Sequence, residues 1–198
     1  MKRILAFLAA AAMMLSLAAC TPKGKPFFVQ ISDPQLGFMN LSADYSPEAE
    51  LFAKAIAQVN AMDPEFVVIT GDFIQWRTDT SASISSPSKE KEHPMRKLTR
   101  SSLRTFFDQD TPVYYLPGNH DVGNDAQGWE VEAFVKRYGH DRFVHKTADY
   151  TVIGFNTSVI KAQTEAEPAE YAWLEEQLKS ADSNKPIIMA AHFPVFTV

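Results

Sequence analysis

Five short apolar segments, separated by longer stretches of helical character, set the strongest limit on what this chain can fold into. Short segments that are rich in Val, Ile and Phe and poor in charge are typical of strands buried on both faces of a sheet. We therefore predict that the sheet of this protein is built from five strands. They are Pro26–Ile31, Phe66–Thr70, Val113–Leu116, Tyr150–Phe155 and Pro186–Ala191.

Four segments among these strands have the features of helices. The first begins at Ser46-Pro47-Glu48, where a capping hydroxyl, an early proline and an acidic side chain are typical of a helix start, and it runs to about Met62. The others are Pro94–Phe107, Trp129–Tyr138 and Glu167–Ser180, the last with Tyr171, Leu174 and Leu178 on one face. This alternation predicts βαβ units and an α/β fold with helices on both faces of a buried sheet.

Polar side chains that can bind metals follow four of the predicted strands directly. They are Asp33-Pro34-Gln35, Gly71-Asp72, Gly118-Asn119-His120-Asp121 and His192-Phe193-Pro194. Taken singly, an Asp after a strand is a common turn or cap residue, and a lone histidine is often a satisfied interior one. Together they predict a site, because α/β sheets build their sites at the carboxyl ends of strands.

In this order, the four motifs resemble those of the calcineurin-like metallophosphoesterase family, and the resemblance extends from Phe27 to Phe196. Most of that family carries Asp-x-His in the first loop, whereas this chain carries Asp33-Pro34-Gln35, as a subgroup of the family does. The resemblance implies a layered α/β/β/α sandwich. It also implies hydrolysis of phosphomonoesters or phosphodiesters by a metal-bound water, with two divalent ions (Mn, Fe, Mg or Zn) as cofactors.

The resemblance further implies a role for each matching residue. Asp33 would bind the first metal and Asp72 would bridge both, while Asn119 and His192 would bind the second. In the same way, His120 would stabilise developing charge or protonate the leaving oxygen, with Asp121 orienting its ring. Gln35 either replaces an imidazole ligand by a weaker amide oxygen, which favours Mn or Mg over Zn, or does not bind metal at all.

The family fold continues to a Gly-His-x-His motif that supplies a histidine to each metal, whereas the sequence ends at Val198. We therefore expect residues 26–198 to be an incomplete phosphoesterase domain with an uncovered strand edge. The alternative to an active enzyme is a catalytically impaired, lipid-anchored fragment or binding protein that keeps the fold. Without a Gly-x-Ser-x-Gly motif, and with Cys20 as its single cysteine, the chain offers no covalent route that competes with metal-assisted hydrolysis.

The first residues of the chain have the pattern of a lipoprotein leader. Lys2 and Arg3 precede an apolar run that is too short for a spanning helix of roughly 20 residues. The run ends in Leu17-Ala18-Ala19-Cys20, a junction that resembles a bacterial lipobox. We predict a signal peptide at 1–19, acylation of Cys20 that anchors the protein in a lipid bilayer, and a polar tether at 20–25. The protein would then belong to the bacterial cell envelope, facing the periplasm or the exterior. An ordinary cleaved leader and an uncleaved anchor are the alternatives.

The charge distribution excludes one class of partner. The 198 residues have a formal net charge of -5, and their Lys and Arg residues form no stripe, so we expect no nucleic-acid binding. Phosphate substrates remain compatible with an acidic protein if metal ions supply the positive charge. Residues outside the four motifs are expected to be structural or at the surface. These are Trp76, His93, His140, His145, Asn156 and Thr157, although Trp76, Asn156 and Thr157 could instead border the site.

Overall fold

Six strands form two three-stranded sheets in the part of the protein that the computed structural model describes, residues 26–39, 45–75 and 100–194. The strands are β1 (Val29–Ile31), β2 (Val67–Ile69), β3 (Val113–Tyr115), β4 (Phe143–Lys146), β5 (Thr151–Gly154) and β6 (Ile187–Ala190). The helices are α1 (Ser46–Met62), α2 (Arg100–Arg104), α3 (Asn119–Val122), α4 (Gly128–Tyr138), α5 (Thr157–Lys161) and α6 (Glu167–Ser180). Within these ranges no helix is both long and apolar enough to cross a membrane.

The first sheet is parallel throughout and has the order β1-β2-β3. Helix α1 connects β1 to β2; it begins with a proline in its first turn and ends at Asp63, whose left-handed φ of 51° stops the helix before Pro64. Its buried face includes Phe52 and Ile56, which pack into the cluster on one side of this sheet. The predicted strands and this helix are thus confirmed, with ends shifted by a few residues.

The second sheet has the order β4-β5-β6, with β4 antiparallel to β5 and β6 parallel to it. Strand β4 was not among the predicted strands, because His145 and Lys146 interrupt its apolar pattern and only Phe143 is buried. The short helices α3 and α5 were also missed. Of the helix predicted at Pro94–Phe107, the structure describes only residues 100–107, and these include α2.

Alternating side chains divide the interior into three apolar clusters. Val67 and Ile69 face the cluster that contains α1 and α4, whereas Val68, between them, faces the second sheet. In β5, Val152 faces the first sheet and Ile153 packs towards α6. This alternation places the two sheets face to face with helices outside them, which confirms the α/β fold class and its layered arrangement.

The outer side of the second sheet is less covered than the pattern of α6 predicts. Leu174 is buried, but Tyr171 and Leu178 on the same predicted face are 50% and 38% exposed. Within the described ranges β6 pairs with β5 alone, and its Ile187 and Met189 are 37% and 44% exposed. The predicted helix therefore forms where it was expected, but only part of its apolar face finds a partner among the described residues.

Candidate metal centre

The loops after β1 and β2 are hydrogen-bonded to each other along the main chain. Asp33 N donates to Gly71 O at 3.1 Å, and Gln35 N donates to Asp72 O at 2.9 Å. Asp33, Gln35 and Asp72 all have left-handed backbones, with φ of 55°, 40° and 54°. Such conformations are uncommon for residues other than glycine, and they cluster at functional sites. The main chain itself therefore fixes where the first two acidic side chains lie.

Two glycines allow the site loops to approach closely. A Cβ on Gly71, whose φ is +94°, would lie 2.5 Å from Gly118 N and 2.8 Å from His192 Nδ1. A Cβ on Gly118 would collide with Oδ1 of Asp72. Only glycine leaves room at these positions for the Asp72 carboxylate and the His192 ring to sit against the backbone.

The structure gives Asp121 a role in holding the main chain of the site. Its buried carboxylate accepts the N–H groups of Asp72 at 2.7 Å, Phe73 at 3.0 Å and Gly118 at 2.9 Å. No hydrogen bond joins Asp121 to the His120 ring among the described residues, so the expectation that Asp121 orients this ring stays a prediction. Burial raises the pKa of Asp121, while the N–H donors act in the opposite direction by stabilising the charged form. Asp121 ties the loop after β3 to the loop after β2.

Asp72 lies at the centre of the site and is 3% exposed. Its Oδ1 accepts the N–H of His120 at 2.8 Å and lies 3.5 Å from His192 Nε2. Its Oδ2 lies 3.9 Å from His120 Nε2. Burial raises the pKa of Asp72, with the His120 N–H and the two imidazoles opposing the rise. Both oxygens of this enclosed carboxylate are thus near groups of the candidate site, which is compatible with the bridging role that the resemblance implies.

The His192 ring is oriented by the main chain. Its Nδ1 lies 2.7 Å from the carbonyl oxygen of Thr70, which can only accept, so Nδ1 carries the proton. In the neutral ring Nε2 then presents a lone pair, and it lies 3.3 Å from Asn119 Oδ1 as well as 3.5 Å from Asp72 Oδ1. With the ring neutral, three acceptor atoms therefore converge with no proton between them. A divalent cation resolves such a repulsion, and a backbone partner on the second nitrogen is typical of metal-binding histidines.

The remaining predicted ligands border this group. One ligand atom each from Asp33, Asp72 and His192 lies within 4.8 Å of the others. Asp33 is exposed, so this side of the group is open to solvent. The contacts described for Gln35 are made by its main chain, and they hold it beside Asp72. The donor set of carboxylate oxygens, an amide oxygen and an imidazole therefore fits divalent cations of the first transition row or Mg²⁺.

His120 lies at the edge of the group and stands apart from the candidate ligands. Its side chain is 20% exposed and its Nε2 points towards Asp72 Oδ2. Its Nδ1 is buried and has no hydrogen-bond partner in the described part of the chain. The ring is thus near the centre without belonging to the converging acceptors, which suits a proton-transfer group.

Several residues named from the sequence fall elsewhere. Cys20, Trp76 and His93 lie outside the described residues. His140 accepts the N–H of Tyr115 through Nε2 at 3.2 Å, and His145 Nδ1 lies 2.9 Å from the hydroxyl of Tyr114, so both histidines are structural.

Sequence reasoning missed the carbonyl of Thr70, since a main-chain acceptor at a strand end has no side-chain signal. It allowed Asn156 and Thr157 a place at the border of the site, but it did not predict that the turn at residues 156–158 holds two of the site loops.

Comparisons with known proteins identify the family of this chain. The family model described as calcineurin-like phosphoesterase matches residues 28–197. Serine/threonine-protein phosphatase CPPED1 of Danio rerio is 26% identical over 189 residues, a match that covers 87% of this chain and 58% of the relative. Its human counterpart is 25% identical over 196 residues, covering 88% and 57%.

A probable glycerophosphodiester phosphodiesterase, GpdQ of Arcobacter nitrofigilis, is 26% identical over 134 residues, covering 67% of this chain and 43% of the relative. A crystal structure of a dimetal phosphatase from Danio rerio aligns with a TM-score of 0.47 at 14% identity, over 85% of this chain and 70% of that one. The chain spans little more than half the length of the CPPED1 proteins it matches. Since the family match extends over all four loops that build the metal centre, the chain belongs to the calcineurin-like phosphoesterase family.

Proposed function

We propose that this protein hydrolyses phosphoester bonds with the help of two divalent cations. The observation that carries the proposal is that Asn119 Oδ1 and Asp72 Oδ1 both converge on His192 Nε2, at 3.3 Å and 3.5 Å. Asp33 adds a second carboxylate on the open side of this group. Membership of the phosphoesterase family supports the same conclusion.

The residues divide naturally around Asp72. Asn119 and His192 would hold one cation together with Asp72, and Asp33 would hold the other, with the amide of Gln35 as an additional weak ligand. When bound, a pair of such cations lowers the pKa of a water molecule and neutralises charge on a phosphoryl group. An amide in place of an imidazole at Gln35 favours Mn or Mg over Zn, with Fe as a further candidate.

The chain's own residues would then do two things. Asp72, Asn119 and His192 lie on loops that are held by hydrogen bonds, so these side chains need little reorganisation when substrate binds. His120, beside this group and partly exposed, would give a proton to the leaving oxygen.

The proposed substrate is a phosphoester, either a monoester or a diester. The relatives are named as a serine/threonine-protein phosphatase and as a glycerophosphodiester phosphodiesterase, which implies a monoester in one case and a diester in the other. The test is therefore turnover of a phosphothreonine peptide and of a glycerophosphodiester by the purified protein, each with Mn²⁺, Fe²⁺, Mg²⁺ and Zn²⁺. Metal-dependent release of phosphate or alcohol supports the proposal. Tight metal binding without turnover of either substrate would favour the impaired fragment or binding protein instead.

We also propose that Cys20 is acylated and that the protein is anchored in the bacterial cell envelope, facing the periplasm or the exterior. The support is the sequence Leu17-Ala18-Ala19-Cys20 after a short basic and apolar leader. Two or more acyl chains give stable membrane attachment where one chain does not. The tether at 20–25 would hold the phosphoesterase domain close to the membrane surface.

A further inference from the structure

The turn at residues 156–158, which begins helix α5 after β5, contacts two separate loops of the candidate metal centre. The hydroxyl oxygen of Thr157 accepts the N–H of Phe193 at 2.9 Å, and Phe193 directly follows His192. The hydroxyl of Ser158 donates to the carbonyl of Pro117 at 3.3 Å, immediately before the Gly118-Asn119 turn. Two adjacent hydroxyls thus reach the two loops that carry His192 and Asn119.

This turn is itself held firmly. Asn156 is fully buried, and its Oδ1 accepts the N–H groups of Ser158 at 3.1 Å and Val159 at 3.4 Å. Its own N–H donates to Glu170 Oε1 at 2.8 Å, and its amide nitrogen donates to Asp141 at 3.1 Å. Because these hydrogen bonds hold the turn on several sides, we expect the hydroxyls of Thr157 and Ser158 to keep fixed positions.

Glu170, which accepts the N–H of Asn156, also has a charged partner. Glu170 is 4% exposed, and its other oxygen accepts from Arg142 Nη1 at 2.9 Å, so this carboxylate is paired as well as buried. Burial raises the pKa of Glu170, whereas the Asn156 N–H and Arg142 lower it by stabilising the charged form. The helix α6 is thereby connected through Asn156 to the site loops.

We propose that Thr157 is a positioning residue for the metal centre and that it acts through the main chain of Phe193. This inference rests on the proposed function, since it concerns the same centre. His192 is fixed at two points, by its ring at Thr70 O and by the following N–H at Thr157. Removal of the second point lets the loop shift, and Nε2 then no longer meets Asn119 Oδ1 and Asp72 Oδ1 at the spacing that a cation needs.

A second contact supports the same loop without replacing that bond. The Lys161 ammonium lies over the Phe193 ring, 4.1 Å from its centre. Such a contact restrains the side chain of Phe193, but it does not direct the N–H. The hydroxyl of Thr157 is therefore the group that sets the main-chain position next to His192.

The test compares three variants of the full chain by Mn²⁺ titration calorimetry and by thermal unfolding without metal. Thr157→Val keeps the shape and removes the hydroxyl, and we expect Mn²⁺ to bind about tenfold more weakly, the lower end of the effect of groups that orient metal ligands. Thr157→Ser restores the hydroxyl and should restore the affinity. Thr147→Val is the matched control, because Thr147 Oγ1 also accepts a backbone N–H at 2.9 Å, from Tyr150, at the opposite end of β5.

The outcomes separate the two proposals. Parental affinity in Thr157→Val, or an equal loss in Thr147→Val, overturns the positioning role and leaves the phosphoesterase proposal intact. Absence of Mn²⁺ binding by the unsubstituted protein overturns both. If Thr157→Val does not fold, Thr157→Ala removes the same hydroxyl with a smaller side chain, and parental affinity in that variant overturns the proposal.

Discussion

The carboxylate of Asp121 accepts the main-chain N–H of Asp72 at 2.7 Å, across 49 residues of sequence. This bond and its neighbour to Phe73 fix the loop that presents Asp72 to the site. Asp121, which follows His120 in the sequence, thus bonds to the main chain of the loop after β2.

Asp121→Asn should destabilise the protein and weaken metal binding together. The amide nitrogen cannot accept, so at least one buried N–H loses its partner at a cost of about 1–3 kcal/mol in the free energy of unfolding. Urea denaturation measures the first effect and Mn²⁺ titration the second. Asp125→Asn is the control, since Asp125 is exposed and close in sequence. Equal stability of the two variants would contradict the role given to Asp121.

Asp72→Asn and His120→Ala should separate metal binding from chemistry. Loss of the central charge at Asp72 should remove most bound metal and nearly all turnover. His120→Ala should keep the metals and slow turnover on the order of 10²–10⁴-fold, because it removes a proton donor. Metal analysis and phosphoester turnover on the same samples check both statements. Similar metal loss in both variants would mean that His120 is itself a ligand.

Acid should destabilise the fold through His140. Burial lowers the pKa of His140, and the charge of Arg100 adds to the effect while Asp141 opposes it. The folded pKa therefore lies below the unfolded value of about 6.5, and the unfolded chain takes up the proton first as pH falls. The free energy of unfolding should decline as pH falls below about 6.5, until the folded pKa is reached.

His140→Gln tests this pH dependence directly. Glutamine can still accept the N–H of Tyr115 but does not titrate, so the variant should lose less stability than the parent between about pH 7 and pH 5. Urea denaturation across that interval gives the difference in the free energy of unfolding between the two proteins. The contribution of the carboxylates is common to both and cancels. Parallel curves for parent and variant would show that His140 does not contribute.

Cys20→Ser should abolish membrane attachment. In a bacterium with a lipoprotein pathway the parent should enter the detergent phase on phase separation, because acyl chains partition there. The serine variant cannot form the thioether and should remain in the aqueous phase or keep its leader. A variant that partitions like the parent would show that the leader, rather than a lipid on Cys20, holds the protein.

The sequence predicted the loops of the site better than the contacts within it. Apolar runs ending in Asp33, Asp72, Asn119 and His192 located the centre, because strand ends and metal-capable side chains are both visible in a sequence. The bonds made by Asp121 were not predictable in the same way, since its partners are main-chain N–H groups with no signature of their own.

The same limit applies to the parts of the fold that were missed. Strand β4 has one buried residue followed by two half-buried residues and one exposed residue, so its sequence lacks a strand pattern and its pairing with β5 depends on tertiary structure. Thr157 follows a predicted strand, but its partner is the N–H of Phe193, 36 residues later. Helix α6 was predicted correctly from its own pattern, whereas the burial of its faces depends on neighbours that the pattern does not specify.

The paired loops after β1 and β2 have a consequence for how the protein acquires its cations. Asp33 and Gln35 are fixed to Gly71 and Asp72 by main-chain hydrogen bonds, so the loops keep their shape through bonds that belong to the chain. In small zinc-dependent domains, by contrast, the ion supplies the folding energy and chelation unfolds the chain. The proposed cations would therefore bind to, and leave, a site whose loops are already held by the chain itself. Which element the protein carries would then follow the supply in its compartment, and the same chain could change metals when that supply changes.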